Sequence, residues 1–495
     1  LAQLQGIEAV RDCIEAAINP PRQIIDPSSV EKSRSKTEPM PSFEEMGFVP
    51  GPDRPVILIA NGKLHTAVDE AMRVLSNPDL GIYSRGDDIV RTVTFHNPTH
   101  TLSVAKKGEN VSRPEGAVVI TALNEAALAV TLTRHAQFKK YDARAKDWIP
   151  CDCPADVARS ILANRGYGWK MPRLRAVIAA PTLRGDGTPM TEAGYDQQSG
   201  LLLVGDHLWR SVPAAPSKRD ALDALLVLVE PIDKMPFVDN SDRAAALSLL
   251  LTAVIRPSLR AAPMHAVEAR AAGTGKSKLV DVAAILATGR TAAVVTPCAD
   301  EAELEKRIGA AALAGDPIIS IDNVTRILRS DQLCQMLTQD EVIVRVLGSS
   351  KNVKIPSTAL ICATGNNLSI HGDLNRRTIR IRLDAKCERP EEREFAFDAI
   401  DLARRKRPEL VAAALTILRA YIVAGSPGRA SPMGNFEDWS DTVRSALLWL
   451  NMGDCRGDVR QTSADDPEKI ALAEVVEAMP AGHFTAKEIQ RRLSD

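Results

Sequence analysis

The stretch MHAVEARAAGTGKSKLVDVAAILA, residues 264–287, decides the fold class of this chain. An apolar run, a turn of small residues, a Lys-Ser pair and a helix-forming segment follow one another in the order of a phosphate-binding loop. Glycine at 273 and 275 permits backbone conformations that other residues avoid, and it lets N–H groups close around a β-phosphate. Lys276 is predicted to contact the β- and γ-phosphates, and the Ser277 hydroxyl to contact Mg²⁺. The predicted loop consists of Ala272, Gly273, Thr274, Gly275, Lys276 and Ser277.

One position departs from the usual pattern of this loop. The first glycine of G-x-x-x-x-G-K-[ST] would fall at Arg270, so the entry turn has to form without it. A chance Gly-Thr-Gly-Lys turn is the alternative interpretation. The sequence that follows favours the phosphate loop.

Two further apolar runs each end in a polar residue. Residues 318–321 lead to Asp322, and residues 358–364 lead through a glycine to Asn366. Parallel strands bring such side chains to the carboxyl edge of a sheet, where α/β proteins place their ligand chemistry. Asp322 is therefore the candidate Mg²⁺ ligand, with an ordinary strand-end acid as the alternative. Asn366 is the candidate for orienting an attacking water, because a neutral amide can hold water without taking its proton.

An arginine pair, Arg376 and Arg377, precedes an alternating run at residues 378–384. An arginine at this place can neutralise the charge that develops on a γ-phosphoryl group. In this order the motifs resemble the AAA+ ATPases, and most of all the superfamily-three helicases and primase-helicases of viruses, phages and integrated elements. The resemblance covers about residues 215–450, and its motifs are specific as a set although weak singly.

The resemblance implies particular roles for these residues. Lys276 and Ser277 match the Walker A residues, and Asp322 matches the Walker B acid. Asn366 matches the sensor asparagine. Arg376 or Arg377 matches the arginine finger, which acts on the ATP of the neighbouring subunit. ATP and Mg²⁺ are the implied cofactors, and a homo-oligomeric ring, expected to be a hexamer, is the implied assembly.

Asn323 departs from the family pattern. Many relatives carry a second acid there that activates water, and an amide cannot act as a general base. Either Asp322 both contacts Mg²⁺ and activates the water, or another carboxylate is the general base. The sequence offers three candidates and does not choose among them: Glu303, Glu305 and Glu341.

Two alternating runs, residues 341–347 and 353–356, flank a Gly-Ser-Ser-Lys turn and predict a β-hairpin. In similar helicases a hairpin at this point projects into a central pore and grips the DNA backbone. Lys351 at the tip, with Arg345 and Lys354 on the arms, suits phosphate contacts. A solvated hairpin tip without a DNA role is the alternative, because lysine is common at such tips.

Length and composition limit the number of domains and the classes of protein to which the chain can belong. A chain of 495 residues, 45% hydrophobic and 25% charged, is long enough for about three globular domains. The formal net charge of −1 gives no overall basic field for nucleic acid, although a ring can confine positive charge to its bore. The eight cysteines lack zinc-site spacing and are expected to be reduced thiols. No apolar run is long enough for a membrane span, and no signal peptide opens the chain, so we expect a cytoplasmic protein without a membrane partner.

The predicted architecture is α/β: an AAA+ P-loop core with a helical lid, preceded by an α+β accessory domain and followed by a small helix-turn-helix or winged-helix-like piece. A helix and proline-rich linker occupy residues 1–50, and the accessory domain occupies residues 51–212. The core spans residues 213–390, the lid 391–455 and the C-terminal segment 466–495. Because longer relatives often carry a primase-type domain in front, a primase module or partner is a further expectation.

The accessory domain carries a second nucleic-acid signal. Between Arg134 and Arg175 there are ten Lys/Arg against four Asp/Glu, interleaved with five aromatic residues. This pattern suits a surface that stacks bases and binds phosphates of a single strand. Aromatic residues in the core and solvated lysines are the alternative.

Three functions remain open from the sequence. The leading hypothesis is an ATP-driven ring helicase that acts on single-stranded or forked DNA during replication of a phage or mobile element. A replication initiator or loader that uses ATP as a slow assembly switch is the second, and Asn323 favours it. A protein-remodelling machine is the third, and the polar hairpin tip counts against it.

Overall fold

The computed structural model describes residues 54–94, 111–205, 209–298, 300–345, 352–387, 389–390, 393 and 397–457. The predictions for residues 1–50 and 466–495 lie outside these ranges, and so does Lys351 at the predicted hairpin tip. Within them the architecture is mixed α/β, with small sheets in the first part of the chain and one large, mostly parallel sheet in the second.

Short strands and three amphipathic helices build the part before residue 206. The helices are α1 (Leu64–Leu75), α2 (Glu125–His135) and α3 (Ala155–Ala163). The strands are β1 (Val56–Ile59), β2 (Ile82–Arg85), β3 (Asp88–Thr94), β4 (Val111–Ser112), β5 (Val118–Ala122), β6 (Gln137–Asp142), β7 (Asp147–Cys151), β8 (Ala176–Ile178), β9 (Thr182–Leu183), β10 (Pro189–Met190), β11 (Gly194–Asp196) and β12 (Leu201–Leu203). They pair in the orders β1-β6-β7, β2-β3-β5, β11-β12-β8 and β10-β9.

Longer helices and buried strands alternate in the second part. The strands are β13 (Met264–Ala269), β14 (Ala293–Val295), β15 (Ile318–Val324), β16 (Glu341–Arg345), β17 (Asn352–Pro356), β18 (Leu360–Asn366) and β19 (Thr378–Leu383). The helices are α4 (Lys218–Val229), α5 (Asn240–Ile255), α6 (Lys276–Thr288), α7 (Glu301–Ala314), α8 (Asp331–Thr338), α9 (Ala399–Arg405), α10 (Arg407–Val423), α11 (Glu437–Trp439) and α12 (Ser445–Trp449), the last two joined by a π turn, Ser440–Arg444.

The large sheet has the order β19-β13-β18-β15-β14-β4. All its neighbouring pairs are parallel except β14 with β4, which is antiparallel. The apolar runs of the sequence become β13, β15 and β18, which lie side by side at its centre. Their carboxyl ends therefore meet at one edge, as the sequence predicts for its polar strand-end residues.

Helix boundaries follow local capping chemistry. Ser217 and Asp220 form the capping box that starts α4. The N-cap of α5 is Asp239 and not the nearby Ser241. The carboxylate of Asp239 accepts hydrogen bonds from the N–H groups of Ser241 and Asp242, so the helix begins at Asn240. Both residues are good caps, and the carboxylate nearer the start takes the position.

The first part of the chain packs directly on the large sheet. Strand β4 adds to the sheet edge beside β14. The guanidinium of Arg85 is buried and donates to the carbonyls of Leu313 (2.6 Å) and Ala312 (2.9 Å) at the end of α7. Arg113 forms a two-pronged ion pair with the buried Asp316, which precedes β15. Both arginines thus bind groups about 200 residues away in the sequence, and no local sequence pattern predicts these contacts.

His265, in the strand that leads to the phosphate loop, should make the stability of the protein depend on pH. It is fully buried beside Ser248 (Nε2 to Oγ, 3.0 Å), and desolvation lowers its pKa to about 3. The unfolded chain binds a proton on this residue near pH 6.5 whereas the folded chain does not, so stability is lost as pH falls below 6.5. Between pH 7 and pH 5 we expect a loss of about 2 kcal/mol from this group.

Replacing His265 with Gln keeps a polar partner for Ser248 and removes the titration. Urea unfolding of wild type and H265Q at pH 5 and pH 7 should show a smaller pH difference for the variant. His65→Gln, at an exposed histidine of α1, is the matched control and should behave as wild type. An H265Q protein with the wild-type pH difference would contradict the assignment.

Candidate nucleotide site

The loop between β13 and α6 has the backbone of a phosphate cradle. Gly273 (φ 72°) and Gly275 (φ 97°) both adopt left-handed conformations, which explains why glycine stands at these two positions. Gly275 is the N-cap of α6, and no side chain satisfies the first-turn N–H groups of that helix. These donors and the helix dipole face the loop and favour an anion there.

Four of the predicted residues converge on this loop. The Lys276 ammonium donates to Asn366 Oδ1 (2.7 Å) and to the Ala271 carbonyl (3.1 Å). The Ser277 hydroxyl donates to Asp322 Oδ1 (2.9 Å). Partial burial lowers the pKa of Lys276, and the neighbouring Asp322 carboxylate opposes that shift. Residues separated by as many as 90 positions thus form one cluster at the carboxyl edge of the sheet.

A β-bulge explains the asparagine that follows Asp322. The register between β15 and β18 shifts between Ile321 and Val324, and Asn323 sits in the left-handed region at φ 58°. Asparagine tolerates this conformation better than most residues. Its N–H donates to Thr364 Oγ1 (3.0 Å), and that hydroxyl donates to Asp322 Oδ1 (2.6 Å). The bulge therefore orients the Asp322 carboxylate, and Asn323 has a backbone reason for its identity.

The three glutamates considered as general bases make other contacts. Glu303 pairs with Arg307 and Lys306 on its own helix. Glu305 accepts from the Ser330 hydroxyl (2.9 Å) near the start of α8. The third, Glu341, pairs with basic residues at the base of the hairpin.

A further carboxyl group beside the loop, Asp281, was not predicted from the sequence. It lies one turn beyond Ser277 on the same face of α6 and accepts from the Ala292 N–H (3.2 Å). Burial raises its pKa, and the charge on Asp322 raises it further. Its position four residues after the loop serine could have indicated that it shares a helix face with Ser277.

The two arginines of the pair are in different environments, although both end the 3₁₀ turn Gly372–Arg377. The Arg377 side chain is 13% exposed and donates to the Cys334 carbonyl (2.8 Å) and to Thr338 Oγ1 (2.9 Å). The Arg376 side chain is 69% exposed, and its partner is the exposed Asp373. Arg376 is exposed to solvent, whereas Arg377 is held by groups of its own chain.

A cavity of about 630 Å³ adjoins the phosphate loop. Its other walls come from the segment before α5 and from the segment that leads into α9. The lining residues outside the loop are Pro231, Lys234, Met235, Pro236, Lys278, Pro390, Arg393, Phe397, Asp398 and Ala399. The Asp384 N–H fixes one wall by donating to the Pro236 carbonyl (2.8 Å), and Lys278 pairs with Asp398 (2.9 Å) at the other.

The predicted hairpin is confirmed by the antiparallel pairing of β16 with β17. One face of it is buried, and the other carries Ile343, Arg345 and Lys354 toward solvent. Glu341, at its base, pairs with Lys354 and also with Arg173 from the first part of the chain. Two of the three predicted DNA-contacting cations are thus exposed on one face, and the third lies outside the described residues.

Three absences hold for the part of the chain that the structure describes. No helix there is long and apolar enough to cross a membrane. No group of three His, Cys, Asp or Glu side chains is arranged to hold a metal ion by itself. All seven cysteines within these ranges are free thiols.

Comparison with known proteins gives a loose structural likeness only. No protein-family model matches the chain, and no curated protein is similar to it. Two apo structures of the C-terminal region of NrS-1 share 12% identity and a TM-score of 0.34, covering 66% and 70% of this chain and 70% of theirs. The JCV helicase shares 12% identity at a TM-score of 0.22, covering 50% of this chain and 70% of that one. Likeness at this level does not define a function.

Proposed function

We propose that this protein is an ATP-driven DNA helicase that works as a homo-oligomeric ring, expected to be a hexamer. The observation that carries the proposal is the convergence of the Lys276 ammonium, the Ser277 hydroxyl, the Asp322 carboxylate and the Asn366 amide on a glycine-built anion cradle. A cation, a hydroxyl, an acid and an amide at a helix N-terminus are the groups that nucleoside triphosphate hydrolysis requires. Replication of a phage or mobile element is the setting that the family resemblance implies.

The residues present suit Mg²⁺. Ser277 and Asp322 offer two hard oxygen ligands 2.9 Å apart, and Mg²⁺ typically takes one or two protein ligands and fills its remaining positions with water and phosphate oxygens. A cluster of three acids is therefore not needed. Bound there, the ion would neutralise charge on the β- and γ-phosphates. The Thr364 hydroxyl keeps Asp322 oriented toward this position.

The cavity beside the loop suits the nucleoside. Its volume, about 630 Å³, is within the range of small-molecule pockets, and Met235, Pro236 and Phe397 give it apolar walls. With the triphosphate on the loop, the base and ribose would lie between these two wall segments. Since one wall leads into α9, nucleotide binding would also fix the helices that follow.

Arg376 is the residue proposed to complete a neighbour's site. Its guanidinium is exposed and has only a surface acid as partner, so it can reach another molecule at small cost. Arg377 would have to give up three partners and leave a partly buried position. Of the two candidates, the structure favours Arg376.

The hairpin is the proposed DNA contact. Arg345 and Lys354 project from its exposed face, and each can bind a backbone phosphate. Glu341 holds Lys354 and Arg173 in one charged group at the base of the hairpin. A phosphate can replace this carboxylate as the partner of either cation.

ATP turnover and strand separation test the proposal together. The purified protein should hydrolyse ATP faster with single-stranded DNA than without it, and it should separate a forked duplex. Arg345→Ala/Lys354→Ala should lose the stimulation by DNA and keep the basal rate. Equal rates with and without DNA, and no separation of 5′- or 3′-tailed forks, would contradict the motor.

Asn323 supports a second candidate, an initiator or loader in which ATP acts as an assembly switch. The position that would carry a second acid is occupied by an amide with a structural role in the bulge. Slow hydrolysis suits a switch. Stable ATP-dependent assembly on duplex DNA, with turnover too slow for translocation, would favour this function over the helicase.

A further inference from the structure

The sheet β1-β6-β7 has one covered face and one open face. Ile57 and Phe138 are each 1% exposed, and they pack with α1, α2 and α3 in one hydrophobic cluster. Side chains alternate along each strand, so the neighbouring positions point the other way. There Val56 and Leu58 are 46% and 44% exposed.

An aromatic pair lies at the far end of the open face. Tyr141 and Trp148 are directly opposite each other in the β6–β7 register, with ring centroids 5.7 Å apart in an edge-to-face arrangement. Tyr141 is 50% exposed, and Trp148 is partly exposed. The other aromatic residues of this basic stretch differ. Phe138 is core, and the Nε1 of Trp169 donates a hydrogen bond to the Ile161 carbonyl (3.0 Å). Tyr167 is 86% exposed, but it lies in the turn after α3 and not on this sheet.

Unpaired positive charge surrounds the aromatic pair. Lys139, between Leu58 and Pro150 in the register, shares their face. Arg144 and Lys146 follow in the turn between β6 and β7, whereas Lys140, in the central strand, points to the opposite face. None of these four cations forms an ion pair with the described residues. The two acids of this hairpin accept backbone hydrogen bonds: Asp142 from the N–H of Arg144 (2.7 Å), and Asp147 from that of Trp148 (2.7 Å).

We propose that the open face of the β1-β6-β7 sheet is a binding platform for single-stranded DNA. Bases would stack on Tyr141 and Trp148 while the lysines and arginine around them bind the backbone phosphates. Aromatic side chains framed by cations on a sheet face are the arrangement by which proteins hold single strands without sequence preference. Paired bases cannot offer their faces in this way, so the platform should discriminate against duplex.

This site is separate from the nucleotide site. No residue of the platform belongs to the phosphate loop, the nucleotide cavity or the hairpin β16–β17. The platform should therefore bind DNA without ATP, and it goes beyond the proposed motor activity. Its role would be to hold one strand while the ATPase cycles.

Fluorescence anisotropy of a labelled oligothymidine with the nucleotide-free protein tests the platform. Tyr141→Ala/Trp148→Ala should weaken binding at least about 25-fold, because two stacked bases are lost and each is worth about fivefold or more. Tyr141→Phe/Trp148→Phe keeps the ring faces and should bind within about twofold of wild type. Val130→Ala, which removes an exposed apolar side chain from α2, is the matched control and should change nothing. The same oligonucleotide as a duplex should bind more weakly to the wild type.

Photocrosslinking gives an answer that does not depend on variants. Irradiated oligothymidine should attach to the peptide that contains residues 137–151. Unchanged affinity in the double alanine variant, equal loss in the phenylalanine variant, or crosslinks that avoid this peptide would overturn the proposal. The Lys276→Ala protein should keep the binding although it lacks ATPase activity, so failure of the platform and failure of the motor are distinguishable.

Discussion

Lys276→Ala is expected to abolish ATP hydrolysis and to leave the fold intact. The ammonium is the cation of the phosphate loop, and its partners are the Asn366 amide and the Ala271 carbonyl. Neither partner is a charge, so removal of the lysine leaves no buried ion uncompensated. The loss of charge stabilisation at the γ-phosphoryl should lower the rate by at least about 10²- to 10³-fold. Phosphate release and the thermal melting temperature are the measurements.

Lys306→Ala is the control for that change. Lys306 lies on α7, a helix that lines neither the phosphate loop nor the nucleotide cavity, and it pairs with Glu303. Its removal therefore alters the net charge by the same amount without touching the loop. Its ATPase rate should match that of wild type. A Lys276→Ala protein with substantial activity would show that the loop does not hold the triphosphate.

Arg376→Ala is expected to stop hydrolysis by the assembled protein while nucleotide binding is retained. An arginine finger contributes about 10³- to 10⁵-fold to turnover, and it acts on the transition state rather than on ATP binding. The side chain is exposed and its ion pair with Asp373 is at the surface, so the variant should be as stable as wild type. Steady-state ATPase assays and fluorescent-nucleotide titrations separate the two effects.

Arg377→Ala should behave differently. Its partly buried guanidinium satisfies the Cys334 carbonyl and Thr338 Oγ1 and pairs with Asp373, so we expect a loss of about 3 kcal/mol in the free energy of unfolding. If Arg377→Ala were as stable as wild type but had lost ATP hydrolysis, Arg377 and not Arg376 would be the arginine finger.

Local sequence patterns predicted the parts of the site but not all of its form. The phosphate loop, the acid and the amide could be placed because each follows an apolar run in a parallel strand, and α6 begins where the glycines end. The bulge at Asn323 could not be predicted, since the sequence of β15 does not show that its register against β18 shifts. From the sequence alone, Asn323 is therefore visible only as an amide at a position where many relatives carry an acid.

Contacts between distant segments account for the other differences. The cavity walls around Pro236 and Phe397 belong to segments without a motif, and only the fold brings them to the loop. The different environments of Arg376 and Arg377 depend on α8, whose carbonyl and hydroxyl groups hold one of them. Neighbouring residues of the same type cannot be distinguished from composition or spacing.

Mixing two inactive variants tests most directly the claim that adjacent subunits share one ATP site. A Lys276→Ala subunit still carries Arg376, and an Arg376→Ala subunit still carries Lys276. A site is therefore complete wherever the loop of an Arg376→Ala subunit faces Arg376 of a Lys276→Ala neighbour. At equal mixing this is about one interface in four of a ring with head-to-tail contacts. We predict that ATPase activity absent from either variant alone appears in the mixture and peaks near equal proportions. A mixture that stays inactive at every ratio, in particles shown to contain both variants, would contradict it.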